Sequence, residues 1–236
     1  FMQQEQDKTK LRGVKSFVLR AGRTSESQKK AISNLMPKFG FDISDKQKIV
    51  DFINQKQTVL EIGFGMGDAF ICHVKENPQV QFLGIEVHPP GIGHTLKLIE
   101  ENALENLKII QHDAIEILKD VIPDNSLLGL QLFFPDPWPK KKHHKRRIVQ
   151  SSFLDLVKTK LKANNSYLHI ATDWEPYAEH ISELLDEQPS FVKLAKTNQA
   201  QIPCTPRSQT KFELRGKKLG HEIFDFIFLF KPKGSK

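Results

Sequence analysis

From about residue 57 onward, short β-rich runs alternate with segments whose apolar residues recur at helical spacing, and no other feature of the sequence constrains the fold as tightly. The strand-like runs cover residues 58–63, 81–87, 107–111, 126–134 and 166–171, with helical stretches such as 69–76, 92–105 and 151–161 between them. Parallel neighbours need a crossover connection, usually a helix, so the alternation predicts a parallel sheet with helices on both faces. The end of the chain breaks the rhythm. Residues 191–197 and 222–230 are two further strand-like runs without a clear helix between them, which predicts an antiparallel pair closing one edge. The result is an α/β fold around a mostly parallel, seven-stranded sheet. Residues 1–40 read as a basic arm followed by one helix near 26–35, the arm having the composition of a segment that stays disordered alone. Residues 41–236 read as a single domain.

A carboxylate stands at or just beyond the C-terminal end of every one of the five parallel strand runs: Glu61, Glu86, Asp113, Asp136 and Asp173. Ligands of open α/β sheets bind outside those ends, so the five acids are predicted to line one rim. Acids also occur there as helix caps. That explanation does not cover all five, because Glu61 precedes a glycine loop and Asp136 lies between two prolines. The loop reads Glu61-Ile62-Gly63-Phe64-Gly65-Met66-Gly67-Asp68. Glycines let the backbone turn sharply and let a ligand approach main-chain amides. The third glycine of a dinucleotide fingerprint would fall at position 68, which is Asp68. An acid at that helix start repels a pyrophosphate but suits a cofactor with an amino group and no phosphate. A plain tight turn is the competing reading, and Glu86, placed where nucleoside ribose hydroxyls would lie, favours the nucleoside.

The net charge of +7 is unevenly distributed. Residues 1–30, 138–147 and 207–218 carry +15 between them, which leaves −8 for the rest of the chain. Three basic segments on an acidic remainder form a footprint for a polyanion. Nucleic acid fits better than an anionic membrane surface, since no basic amphipathic helix accompanies the charge. No window approaches the ~20 uninterrupted apolar residues of a membrane span, and no secretory-signal pattern opens the chain. Phe1, ahead of Met2, reads as a processed or appended start. Cys72 and Cys204 are isolated, which argues against a disulfide framework or a thiolate zinc site and fits a reducing cytosol. His143 and His144 are adjacent, point in different directions and lack a carboxylate or thiolate at ligand spacing, so RNA contact outweighs metal binding.

The most specific stretch begins Phe133-Phe134-Pro135-Asp136-Pro137-Trp138-Pro139-Lys140 and runs on to Lys145-Arg146-Arg147. Its prolines force a rigid extended path that fixes Asp136 at the rim, and the aromatic and basic residues beyond can stack on a base and neutralise phosphates. The stretch closely resembles the F-P-D-P-W-x-K…K-R-R motif of bacterial tRNA guanine-N7 methyltransferases, although Pro139 stands where some members carry His. Ala171-Thr172-Asp173-Trp174-Glu175-Pro176-Tyr177 resembles the family's A-T-D-W-x-x-Y. Thr210-Lys211-Phe212-Glu213-Leu214-Arg215-Gly216 resembles its T-K-F-E-x-R-G, and the 12–23 stretch is also similar. The resemblance covers nearly the whole chain.

That resemblance implies a Rossmann-like, S-adenosylmethionine-dependent methyltransferase acting on N7 of a guanine in the tRNA variable loop, at position 46. It implies that Glu61 and Gly63, Gly65 and Gly67 hold the methionine end of the cofactor, Glu86 the ribose, and Asp113 with His112 the adenine amino group. Asp136 is implied as the catalytic residue at the border of cofactor and guanine. Lys140, Asp173, Thr210, Lys211, Phe212 and Glu213 are implied to bind substrate, and Lys142, His143, His144, Lys145, Arg146 and Arg147 to touch RNA. No metal and no obligate protein partner are implied, and the enzyme would be a cytoplasmic monomer or homodimer. Two rivals share part of the pattern. An NAD-dependent dehydrogenase would have the same sheet but conflicts with Asp68, and a noncatalytic RNA-binding module leaves the rim acids without a purpose. Another S-adenosylmethionine-dependent RNA nucleobase methyltransferase is the alternative within the same chemistry.

Overall fold

The structure, a computed structural model, describes residues 16–17, 23–163, 165–194, 207–210, 213–214, 220 and 222–232. Its sheet runs, edge to edge, β1 (Gly40–Phe41), β4 (Leu107–Gln111), β3 (Gln81–Glu86), β2 (Thr58–Ile62), β5 (Leu127–Phe133), β6 (Ser166–Thr172), β8 (Phe224–Phe230) and β7 (Phe191–Lys193). Strands β1 to β6 are parallel, whereas β8 pairs antiparallel to β6 and β7 antiparallel to β8. The expected α/β architecture and antiparallel edge pair are therefore present. Among the described residues the expected seven strands are eight. The additional strand, Gly40–Phe41, pairs with Ile109 and Ile110, and two residues are too few to show a periodicity in sequence.

Helices cover both faces. On one lie α1 (Glu26–Phe39), α3 (Asp68–Glu76) and α4 (Pro89–Glu101), packed through Phe70, Ile92 and Leu96. On the other lie α2 (Lys46–Gln55), α5 (Ala114–Asp120), α6 (Ser151–Lys160) and α7 (Glu175–Asp186), packed through Ile49, Ile117, Leu154 and Ile181. Every residue of β2 and β3 is buried, which is why these strands read as mostly apolar runs without an alternating polar face. Among the described residues no helix is long and apolar enough to cross a membrane.

Local chemistry sets the helix ends that position the site. Ser25 and Gln28 form a reciprocal capping box at the start of α1. The helix runs on to Phe39, past the expected end at 35, with Pro37 tolerated in its last turn and Phe39 buried. Gln28 Nε2 donates to the Pro90 carbonyl at 3.1 Å, and a Cβ on Gly93 would lie 2.6 Å from the Gln28 carbonyl oxygen, so α1 and α4 touch backbone to backbone. Pro89 and Pro90 open α4, where a missing N–H costs nothing.

Candidate active site

The parallel strands aim their C-terminal ends at one edge of the sheet, and the strand order reverses at β2, flanked by β3 on one side and β5 on the other. A cavity of about 300 Å³ opens at this reversal, where open α/β sheets bind their ligands. Gly63 and Gly65 line it after β2, Glu86 at the end of β3, His112 after β4, and Phe134 with Asp136 after β5.

The glycine loop owes its shape to backbone conformation. Gly63, Gly65 and Gly67 have φ of 77°, 58° and 82°. At Gly65 nothing lies within 4 Å of where a Cβ would project, so conformation and an open approach select glycine there. Gly67 is different, since its Cβ would lie 2.1 Å from Thr95 Oγ1. It is buried against α4 and lies outside the cavity lining, so its service is to helix packing. Glu86 fixes the loop from the neighbouring strand. Its Oε2 accepts the Gly65 N–H at 2.9 Å and its Oε1 accepts those of Val87 and His88 at 2.7 and 3.0 Å.

Glu61 lies inside β2, only 6% exposed and next in sequence to Ile62 of the cavity lining. Burial pushes its carboxyl up to about 8, against the pull of the Arg207 cation and with a further push from Glu86. In the sheet register Glu61 stands beside Gln131, which stands beside His169. Gln131 Nε2 lies 3.1 Å from the Tyr167 hydroxyl and 3.2 Å from His73 Nε2. Burial first, then His169 and Arg207, hold the His73 imidazole down at about 4, so it is neutral near pH 7. A polar row thus crosses the buried sheet, one residue before Ile62 and Leu132 of the cavity lining.

The opposite wall is strained. Phe134 and Trp138, either side of Pro135-Asp136-Pro137, have φ of 52° and 47°, a conformation that costs a non-glycine residue roughly 1–2 kcal/mol. Phe134 is held by its N–H bond to the Ala171 carbonyl at 2.7 Å. Trp138 is held by its Nε1 bond to the Ser16 carbonyl at 3.2 Å and by Arg146, whose guanidinium lies 4.8 Å from the ring centre. Asp136 between them is exposed. Backbone strain of this kind is concentrated at functional sites.

Directly after this wall comes a 3₁₀ helix, Lys141–Arg146. Lys140, Lys141, Lys142 and Lys145 are exposed, and His143, His144 and Arg146 partly so. Desolvation and then the surrounding Lys142, Arg146, Lys140 and Lys145 lower the pKa of His143. Arg147 departs from the expectation of an RNA contact. It is 3% exposed, its Nε donates to the Pro137 carbonyl at 2.9 Å, and its guanidinium lies 4.8 Å from the Tyr177 ring centre. A charge alone cannot distinguish a phosphate ligand from a staple holding the proline segment onto α7.

The remaining predicted residues spread around this centre. Asp113 caps α5, accepting the Ile115 N–H at 2.9 Å, and lines a neighbouring cleft with Lys145 and Arg146. His112 Nε2 lies 2.7 Å from Glu116. Asp173 follows β6 and is partly exposed, outside the cavity lining. Thr210 Oγ1 accepts the N–H of the buried Glu213 at 3.0 Å. Lys211 and Phe212 lie outside the described residues, as does most of the basic arm. Of the five acids expected on one rim, Glu86 and Asp136 line the cavity, Asp113 lines the neighbouring cleft, and Glu61 and Asp173 lie outside both linings. Two residues were read in the sequence only as parts of longer stretches. Phe17, in the 12–23 stretch, lines the cavity, and Arg207, in the basic 207–218 segment, joins Glu213 to Asp225 of β8. Neither role carries a signal of its own in the sequence.

Comparison with known proteins follows this geometry. A family described as "Putative methyltransferase" matches residues 55–226. A tRNA (guanine-N(7)-)-methyltransferase of Chromohalobacter salexigens is 46% identical over 223 residues, covering 92% of this chain and 89% of that one. One of Escherichia coli (strain UTI89) is 44% identical over 222 residues, covering 92% of each. Among solved structures, an antibiotic-related methyltransferase aligns with a TM-score of 0.53 at 15% identity, over 79% of this chain and 94% of that one. The aminoglycoside resistance methyltransferase NpmB1 aligns with a TM-score of 0.51 at 12% identity, over 78% and 93%. At such identities the structural likeness speaks for the fold alone.

Proposed function

This chain belongs to the tRNA (guanine-N(7)-)-methyltransferase family, and from that premise we propose that it methylates N7 of the variable-loop guanine of tRNA, position 46, with S-adenosylmethionine as donor. The observation that carries the reading is continuity: the cavity's strained Phe134–Trp138 wall passes without a break into an exposed basic helix. A nucleoside-sized hollow and a polyanion-binding surface thereby share one segment.

The residues present fit the cofactor. The missing Cβ at Gly65 leaves backbone open beside the cavity, Glu86 stands at the end of β3, and the buried Glu61 carboxyl is suited to a cationic methionine end once ionised. When bound, the cofactor supplies a methyl group made electrophilic by its sulfonium. Guanine N7 offers an in-plane lone pair and has no proton to lose, so no strong base is required. The protein's work is then alignment, which contributes through pre-organised geometry. The purine gains positive charge as the bond forms, and the Asp136 carboxylate, held rigid between two prolines, opposes that charge more strongly in the transition state than before it. Asp173 or Glu213 is the acceptor assigned to the guanine N1–H and amino group. Lys142 and Lys145 hold backbone phosphates, so shape and backbone contacts dominate recognition of the folded RNA. Such an enzyme works with its substrate in the cytoplasm.

The test is incubation with labelled S-adenosylmethionine and unmodified tRNA, followed by nucleoside mapping. N7-methylguanosine in the variable loop is expected, and it disappears when that guanine is replaced by adenine. Label on another base atom, or no transfer, overturns the reading.

A further inference from the structure

The Arg207 guanidinium is the hub of an ion cluster behind the substrate wall. Its Nη1 donates to Glu213 Oε2 at 2.5 Å, its Nη2 to Asp225 Oδ2 at 2.8 Å and its Nε to Asp225 Oδ1 at 3.2 Å. Asp225 Oδ1 also lies 2.6 Å from His169 Nε2. The guanidinium carbon lies 5.3 Å from the ring centres of both Phe133 and Phe134. The side chains of Arg207 and Glu213 are each 6% exposed.

We propose that Arg207 is a positioning residue for methyl transfer, holding the Glu213 carboxylate and the start of the Phe134–Asp136 segment in one fixed relation. The inference rests on the reading of Glu213 as a guanine acceptor and adds what places it. One planar fork touches the last strand, the last residue of β5, the first strained residue of the proline segment and Glu213. Among the described residues of this region, Ser208 Oγ bonds Glu76 Oε2 at 3.2 Å, and the N–H groups of Glu213 and Leu214 bond Thr210. The last two bonds tie the Glu213 and Leu214 backbone to Thr210. The Glu213 carboxylate is oriented by Arg207, because a guanidinium supplies three directed donors in one plane and keeps its charge when buried. A lysine ammonium at the same place can neutralise but cannot bind both carboxylates in that fork geometry. Loosening the Phe134–Asp136 wall together with the proposed acceptor Glu213, in a site for in-line transfer, lowers the rate of the bound complex more than it weakens binding.

The experiment compares wild type, Arg207→Gln, Arg207→Lys, Glu213→Gln and the Arg207→Gln/Glu213→Gln pair in single-turnover methylation of tRNA, with KM for tRNA, calorimetric Kd for S-adenosylmethionine and thermal midpoints. Arg207→Gln is expected to lower the maximal rate by about tenfold or more while KM and Kd stay within about threefold, with Arg207→Lys intermediate. In the pair, the Arg207 change is expected to cost less than about threefold beyond Glu213→Gln alone, because coupled residues are not additive. Full turnover in Arg207→Gln, or losses that multiply in the pair, overturn the proposal. If Arg207→Gln does not fold, the lysine variant decides: a folded variant with a slowed rate supports the role and one with wild-type turnover sinks it. The parent reading fails separately, through wild-type protein that leaves tRNA unmethylated.

Discussion

Glu86 holds Gly65 through a carboxylate oxygen that accepts its N–H at 2.9 Å, while the other oxygen takes the N–H groups of the two residues that follow Glu86 itself. The side chain expected to meet a ribose is thus also the clamp on the glycine loop. Glu86→Gln keeps the volume but replaces one acceptor by an amide that can only donate. It is expected to weaken S-adenosylmethionine binding by about tenfold or more, the loss of roughly one charge-assisted bond, measured by calorimetry. Unchanged affinity would separate the loop from the cofactor.

Gly91→Ala tests the same loop from beneath. Alanine in place of glycine within a helix ordinarily gains about 1 kcal/mol. Here its Cβ would lie 2.1 Å from the Gly65 carbonyl oxygen. The substitution is expected to displace the loop, lowering both the thermal midpoint and cofactor affinity. A midpoint above that of the wild type would contradict the close approach.

Cofactor affinity is expected to depend on pH through Glu61. Its folded-state pKa, raised to about 8 by burial, stands above the unfolded value of 4.5. Stability linked to this proton is therefore complete below about 4.5 and is lost as pH rises through about 8. A cationic ligand that needs the anion has the opposite dependence: its affinity climbs with pH up to about 8 and then levels. Calorimetry in buffers of different ionisation heat should detect proton release on binding near pH 7, and Glu61→Gln should abolish it.

The basic segment divides into two kinds of cation. Lys145→Glu and Arg146→Glu are expected to weaken tRNA binding and to flatten its salt dependence, each removed phosphate contact taking about 1 from the slope of log K against log salt. Arg147→Ala is expected instead to lower stability by about 2–3 kcal/mol, since it breaks a buried charged hydrogen bond to the Pro137 carbonyl. Thermal melts and filter binding across salt concentrations distinguish the two classes.

Asp136→Ala should fold and bind cofactor normally, because the exposed side chain supports no element of the core. Its single-turnover rate is expected to fall by about 10²-fold or more, the scale of one removed electrostatic stabiliser. A rate near that of the wild type would take the carboxylate out of the transition state.

The strands were legible because burial on both faces leaves runs that are apolar apart from isolated polar residues, as in Thr58–Ile62 with Glu61 and Leu127–Phe133 with Gln131. Gly40–Phe41 was illegible because it is a strand only by virtue of its neighbour Leu107–Gln111. At the cavity, sequence gave away residues whose type is rare in context, such as glycines in series or an acid between prolines. It could not show that Arg147 turns inward while Lys145 turns outward, since their charge is the same and only the fold separates them. Arg207 was hidden for the related reason that its partners, Glu213 and Asp225, come from two different segments.

The last strand among the described residues is an inner strand of the sheet, with β8 seated between β6 and β7. While synthesis has not reached Phe224, the outer edge of β6 exposes a row of unpaired N–H and C=O groups, a template for joining other chains. Asp225, the anchor for Arg207, is absent at the same stage. A product ending before that residue would already have its glycine loop, yet it should be lost to aggregation or proteolysis and not persist as a slow enzyme.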